Sequence, residues 1–211
     1  MWMISSLYTF FLATCFPQTC FICKKSEESL CKNCISSLRR NVDSPHTYIH
    51  AIFSFKDDRV RKIIHAIKYY HRPDLVPPLV EKLLQTLPKD YFTEETLLIP
   101  IPMSRFKRWM RGYNQAAQIA YAISEATGVP THTDILVRRT KKINQVKTKN
   151  RKERLDNQKG AFDIYSKTSL LETKNIILID DVATTGATLE EARKVLLRFG
   201  VKKIQAITLA H

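Results

Sequence analysis

Ile176-Ile177-Leu178-Ile179 runs without interruption into Asp180-Asp181 and then into Val182-Ala183-Thr184-Thr185-Gly186-Ala187-Thr188. Four successive aliphatic residues leave no polar face, which predicts a strand buried on both sides at the centre of a parallel sheet. Leu189 to Phe199 carries helical spacing, so the hydroxyl-rich turn falls at a helix N-terminus. Backbone amides there favour an anion, and small side chains leave them accessible. Adjacent carboxylates would repel a phosphate but suit the vicinal hydroxyls of a ribose. The ligand implied is a ribose 5-phosphate: Asp180 and Asp181 meet the sugar, and Ala183, Thr184, Thr185, Gly186, Ala187 and Thr188 meet the phosphate. G-x-x-x-x-G-K-[ST] and G-x-G-x-x-G are absent, and five glycines leave little scope for either.

The rest of the chain alternates. Tyr48 to Phe55 reads as a strand, followed by a helix with Val60, Ile63, Ile64 and Ile67 at helical spacing and a second helix over Asp74 to Leu87. Thr96 to Ile101 reads as a strand leaving through Pro100-Ile101-Pro102, Asn114 to Thr127 as a helix, Ile135 to Val137 as a short strand, and Val201 to Leu209 as the last strand. This order predicts an α/β fold, a parallel sheet flanked by helices, with ligands beyond the carboxyl ends of the strands. The expected division is 46–211 for that domain and 1–45 for an N-terminal helix with a small cysteine module.

Cys20-Phe21-Ile22-Cys23 and Cys31-Lys32-Asn33-Cys34 are two C-x-x-C knuckles separated by seven residues. Each places two thiolates on one ion, and together Cys20, Cys23, Cys31 and Cys34 fill a tetrahedral Zn2+ sphere, so the metal is structural. Disulfides are the competing reading, disfavoured by the unpaired Cys15 and by the lack of a convincing export signal. Trp2 to Phe16 is apolar but too short and too diluted with Ser and Thr to span a bilayer. It reads as an amphipathic helix, with peripheral membrane contact as a minority option. The expected location is the cytoplasm.

The formal net charge is +14, and the cations cluster, which suggests a polyanionic partner. Arg138, Arg139, Lys141, Lys142, Lys147, Lys149, Arg151, Lys152 and Arg154 face only Glu153 and show neither helical nor strand periodicity. Arg105, Lys107, Arg108 and Arg111 are interleaved with Phe106, Trp109 and Tyr113, and a third cluster runs from Arg59 through Lys68-Tyr69-Tyr70-His71-Arg72. Cations with aromatic platforms suit single-stranded nucleic acid, which makes the first group and Arg108 candidate DNA contacts. The phosphates of a small ligand need the same residue types.

The segment from Ile176 to Thr188 resembles the 5-phosphoribosyl-1-pyrophosphate (PRPP) motif of type I phosphoribosyltransferases. The chain as a whole resembles the ComF/ComFC family of competence-associated proteins. The landmarks are the two knuckles, Ala66-Ile67-Lys68-Tyr69, Ile99-Pro100-Ile101-Pro102, Arg108-Trp109-Met110-Arg111-Gly112-Tyr113-Asn114-Gln115-Ala116, Gln145, Arg151-Lys152-Glu153-Arg154 and Gly160-Ala161-Phe162. The resemblance implies a role in DNA uptake during natural transformation, on incoming single-stranded DNA at the cytoplasmic side. The implied partners are PRPP with Mg2+, single-stranded DNA and a competence helicase or inner-membrane DNA channel. It also implies pyrophosphate contacts at the turn after Ile101, with Pro102, Met103, Arg105 and Arg111 as candidates, and a hood over Arg138 to Arg154. Thr184 stands where hypoxanthine-type transferases carry an acid that contacts the base, and no segment advertises an acceptor pocket. Two alternatives therefore stay open: an active phosphoribosyltransferase on an unidentified acceptor, and a zinc-module adaptor.

Overall fold

The computed structural model describes residues 19–25, 28–41, 46–139, 160–165 and 174–211. The expected N-terminal helix with Cys15, and Lys141, Lys142, Lys147, Lys149, Arg151, Lys152 and Arg154, lie outside the described residues. In chain order the elements begin with α1 (Lys32–Ser36), β1 (Ile49–Phe53), α2 (Asp58–Tyr69), α3 (Val76–Leu84) and β2 (Thr96–Pro100). They continue with α4 (Arg105–Arg111), α5 (Gln115–Thr127), β3 (Leu136–Arg138), β4 (Phe162–Ile164), β5 (Asn175–Val182), α6 (Ala187–Arg198) and β6 (Lys203–Ala210).

The apolar run becomes β5, the inner strand of a parallel sheet ordered β1-β6-β5-β2. Its side chains alternate as the pleat requires. Ile177 and Ile179 enter the cluster formed with α2, α3 and α5, whereas Ile176 and Leu178 enter the one formed with α6 and the β3–β4 pair. Helices thus cover both faces, which explains why the strand has no polar side.

Local signals set the helix ends. Asp57 accepts from the Arg59 N–H at 2.9 Å to cap α2, and Val60, Ile63, Ile64 and Ile67 form its buried stripe. Asn114 accepts from Ala116 N–H at 3.1 Å to cap α5 and donates to Ile101 O at 3.0 Å, tying the exit of β2 to the helix start.

Two expectations are refined, and one helix was not expected. The helix expected over Asp74 to Leu87 is a 3-10 turn, Pro73–Leu75, followed by the shorter α3, because Pro77 and Pro78 fit only the first turn of an α-helix. The strand expected at Ile135 to Val137 is β3, which pairs antiparallel with β4 in a separate two-stranded sheet. Arg105 to Arg111 is helical without burying a single residue. Ser104 caps it, and Gly112, at φ +77, ends it in a conformation that side chains with a Cβ resist.

The cysteine module packs directly on the domain. Cys20, Leu30, Ile35 and Leu38 belong to the same apolar cluster as Val76, Leu79, Val80 and Leu83 of α3. Polar seams reinforce the contact: Ser29 Oγ donates to Asp74 O at 2.9 Å, and Arg59 donates to Ser37 O at 2.7 Å.

Candidate functional site

The register of the sheet creates the site. β2 stops pairing with β5 at Pro100 opposite Ile179, whereas β6 continues to Ala210 opposite Val182. Asp180, Asp181 and Val182 therefore prolong β5 past the end of β2, and the edge they expose opens a crevice beyond the carboxyl ends of the strands. The acidic pair was expected to follow the strand; it is the strand's own last turn of pleat.

Alternation then separates the two acids. Asp181 follows the parity of Ile177 and Ile179, toward the helical layer that holds α2, and its Oδ2 pairs with Lys68 Nζ at 2.9 Å. Asp180 follows Ile176 and Leu178, toward the β3–β4 pair, where the charge of Arg138 acts on it. Arg138 lies over the Phe162 ring at 5.3 Å. Burial and the neighbouring Asp181 carboxylate push Asp180 up to about 7, against the hydrogen bond from Asp181 N–H and the charges of Lys68 and Arg138. Lys107 completes the ring of cations. Desolvation of its ammonium, then the charges of Arg138, Arg111 and Lys68, lowers its pKa, with Asp181 opposing.

A carboxyl whose pKa is raised on folding binds its proton more tightly in the folded state. The contribution is therefore full at pH below the ordinary value of 3.8 and is lost as the pH rises through about 7. Asp180→Asn should accordingly stabilise the ligand-free protein at pH 8 by about 2 kcal/mol, discounted for solvent screening, with little gain at pH 4. Urea unfolding at the two pH values checks this; equal gains at both would exclude the carboxyl as the source.

Val182 leads into the loop expected to hold the phosphate. Ala183 N–H donates to Ala210 O at 3.0 Å, anchoring the loop to β6. Thr184 is exposed, and Thr185 Oγ1 accepts from Ala187 N–H at 3.4 Å. A concavity of about 30 Å3 is lined by Asp180 and by Val182 through Leu189, in the first turn of α6. Gly186 caps α6 at φ +70, and His46 Nε2 donates to Thr185 O at 3.2 Å. A Cβ at Gly186 would sit 2.6 Å from that same nitrogen.

Of the pyrophosphate-side candidates, Pro102 and Met103 form the half-buried turn after β2, and Arg105 is exposed. Arg111 donates to Gln115 at 3.1 Å and to the Tyr69 hydroxyl at 2.9 Å. Among the DNA candidates, Arg139 is paired with Asp163 at 2.8 Å, Arg138 faces the acidic pair, and Arg108 lines a concavity beside Tyr113 and Tyr121. Lys68, Lys107 and His46 were not singled out for this site. Lys68 had a signal, its place in Ala66-Ile67-Lys68-Tyr69, but nothing local tied it to Asp181.

Cys20, Cys23, Cys31 and Cys34 converge, their Sγ atoms all within 4.8 Å of one another and Cys23 to Cys31 at 3.8 Å. Tetrahedral Zn2+ with Zn–S near 2.3 Å separates sulfurs by about 3.8 Å, so the set fits the ion. The thiols also need it. Burial and crowding by Cys31, Cys23 and Cys20 push Cys34 up to about 12. At Cys20 burial acts upward but is outweighed by backbone N–H groups, including that of Cys31, which bring it down to about 6. Without a cation the cluster cannot hold four thiolates.

A family model described as a phosphoribosyl transferase domain matches residues 76–211. The chain belongs to the phosphoribosyl transferase domain family. Its fold is the type I phosphoribosyltransferase fold, with a cysteine cluster near the N-terminus. Competence protein F of Haemophilus influenzae is 36% identical over 114 residues, which are 54% of this chain and 49% of that protein, so the chain spans about half of that relative's length. Competence protein ComFC of Bacillus subtilis is 29% identical over 86% of this chain and 72% of its own length. DNA utilization protein YhgH of Salmonella typhi is 28% identical over 71% of this chain and 66% of its own. The resemblance to ComF/ComFC proteins is thus borne out. Among the described residues, no helix is long and apolar enough to cross a membrane.

Proposed function

We propose that this phosphoribosyl transferase domain protein binds PRPP and handles incoming single-stranded DNA on the cytoplasmic side during natural transformation. The observation that carries the PRPP part is the continuity of Asp180-Asp181 with the phosphate loop at a strand end that outlasts its neighbour. The loop takes the 5-phosphate, the acids at the strand end take the ribose hydroxyls, and Lys68, Lys107 and Arg138 supply charge for the pyrophosphate. The DNA part rests on the relatives, named competence and DNA utilization proteins, and on the basic charge.

Mg2+ fits this donor set. Asp180 and Asp181 offer hard oxygens, and the burial and neighbouring Asp181 charge that raise the Asp180 pKa are costs a bound cation would offset. When bound, Mg2+ would offset the charge of the pyrophosphate. Titration calorimetry of PRPP with Mg2+ into the zinc-loaded protein should give saturable binding, weakened at least about tenfold in Asp180→Asn/Asp181→Asn through loss of charge-assisted hydrogen bonds. No binding by the unaltered protein sinks the PRPP reading.

A further inference from the structure

Two adjoining concavities lie outside the ribose and phosphate site. One, of about 510 Å3, is lined by Arg39, Arg40, Lys56 and Arg61 and reaches Thr184 of the phosphate loop. The other, of about 490 Å3, shares Arg61 and adds Lys62, with Asp58 as its carboxylate. Together they form a groove from the first cysteine knuckle, across the outer face of α2, to the phosphate loop. Five cations face one acid, and Asp58 is already paired with Arg61. Among the described residues, the side chains of Arg39, Arg40, Lys56 and Lys62 form no ion pair. Like charges gathered this closely repel one another, and a polyanion relieves the repulsion.

Aromatic faces accompany the cations. Phe21 of the knuckle, His65 and Tyr70 line the second concavity, with Tyr70 64% exposed and its ring 5.2 Å from that of His65. Duplex DNA hides its bases and would leave these rings unused, whereas a single strand offers both phosphates and base faces. Arg138 and Arg139 are engaged at Asp180 and Asp163, so the groove presents the less committed cations.

We infer that this groove is the binding path for single-stranded DNA, with the phosphates on Arg39, Arg40, Lys56 and Lys62 and bases against Tyr70 and His65. This rests on the DNA-handling reading above and locates its surface. The cysteine module then supplies a wall of the path, and the phosphate loop its far end.

The test is fluorescence anisotropy of the zinc-loaded full chain with a labelled oligothymidylate across a salt series. Arg40→Gln/Lys56→Gln/Lys62→Gln removes three exposed cations from the groove. It should weaken binding more than about tenfold at low salt and flatten the plot of log affinity against log salt by about 2, at roughly 0.7 per lost contact. Tyr70→Ala should weaken binding about tenfold with the slope unchanged. The charge-matched control is Lys194→Gln/Lys202→Gln/Lys203→Gln, all exposed and outside both concavities. Equal losses in groove and control variants overturn the groove and leave the DNA reading standing. Oligothymidylate binding absent from the unaltered protein overturns both. A groove variant that keeps its DNA affinity but loses an acidic peptide ligand assigns the surface to a protein and overturns the inference. Thermal midpoints within a degree of one another show that all variants are folded.

Discussion

Stripping zinc with a strong chelator should lower the thermal midpoint by about 10 °C or more, read by scanning calorimetry alongside the zinc released. Four Sγ atoms within 4.8 Å of one another cannot stay together as thiolates without the ion, so its removal opens both knuckles. The damage does not stop there. Cys20 and Leu30 are essentially inaccessible, and they share an apolar cluster with Leu79, Val80 and Leu83 of α3. Opening the knuckles loosens one wall of the domain core. Structural zinc contributes about 10 kcal/mol or more in isolated fingers; here the remaining core retains much of the fold, and a loss of about 4 kcal/mol is expected. At roughly 3 °C per kcal/mol for a chain of this size, that is about 12 °C. Cys31→Ser should show the same fall without chelator and no further fall with it. A protein that releases no zinc and melts unchanged would return the four cysteines to another chemistry.

Gly186→Ala should cost about 2–3 kcal/mol and weaken PRPP binding at least about tenfold, although it adds a single methyl group. At φ +70 a residue with a Cβ is strained by about 1–2 kcal/mol. The added carbon meets His46 Nε2 at 2.6 Å, so the imidazole must move and its hydrogen bond to Thr185 O is lost, about 1 kcal/mol more. Both effects displace the turn whose amides are proposed to hold the phosphate. The double variant His46→Ala/Gly186→Ala separates them: it removes the collision but not the backbone strain, so it should be less impaired than additivity from the single variants predicts. Wild-type stability and PRPP affinity in Gly186→Ala would show that the loop is indifferent to its geometry.

What was legible in the sequence was whatever is encoded locally. β5 and α6 were readable because a strand buried on two faces admits only apolar residues and a helix needs its stripe, and the knuckles because chelation requires that spacing. α4 was not, since Arg105 to Arg111 buries nothing and has no stripe; its ends at Ser104 and Gly112 were the only signal. β4 is three residues long, and its partner β3 is brought to it only by tertiary packing. The cations of the site were illegible for the same reason. Lys68 meets Asp181 because α2 packs on one face of the sheet, and Arg138 acts on Asp180 because the β3–β4 pair covers the other. The acidic pair is local, whereas its surroundings belong to the fold.

The ion pair of Lys68 with Asp181 also decides what the crevice will refuse. With no ligand present, the carboxylate already has a counter-charge at 2.9 Å, so a visitor that offers only hydroxyls must break that bond and leaves the ammonium stranded. A plain pentose therefore gains little by entering. A sugar that arrives with its own diphosphate would give Lys68 somewhere to go, so the lysine would exchange one partner for another instead of losing its ion pair. If the crevice takes PRPP as proposed, discrimination between a bare sugar and its activated form would be built into a single side chain that never needs to touch the ribose.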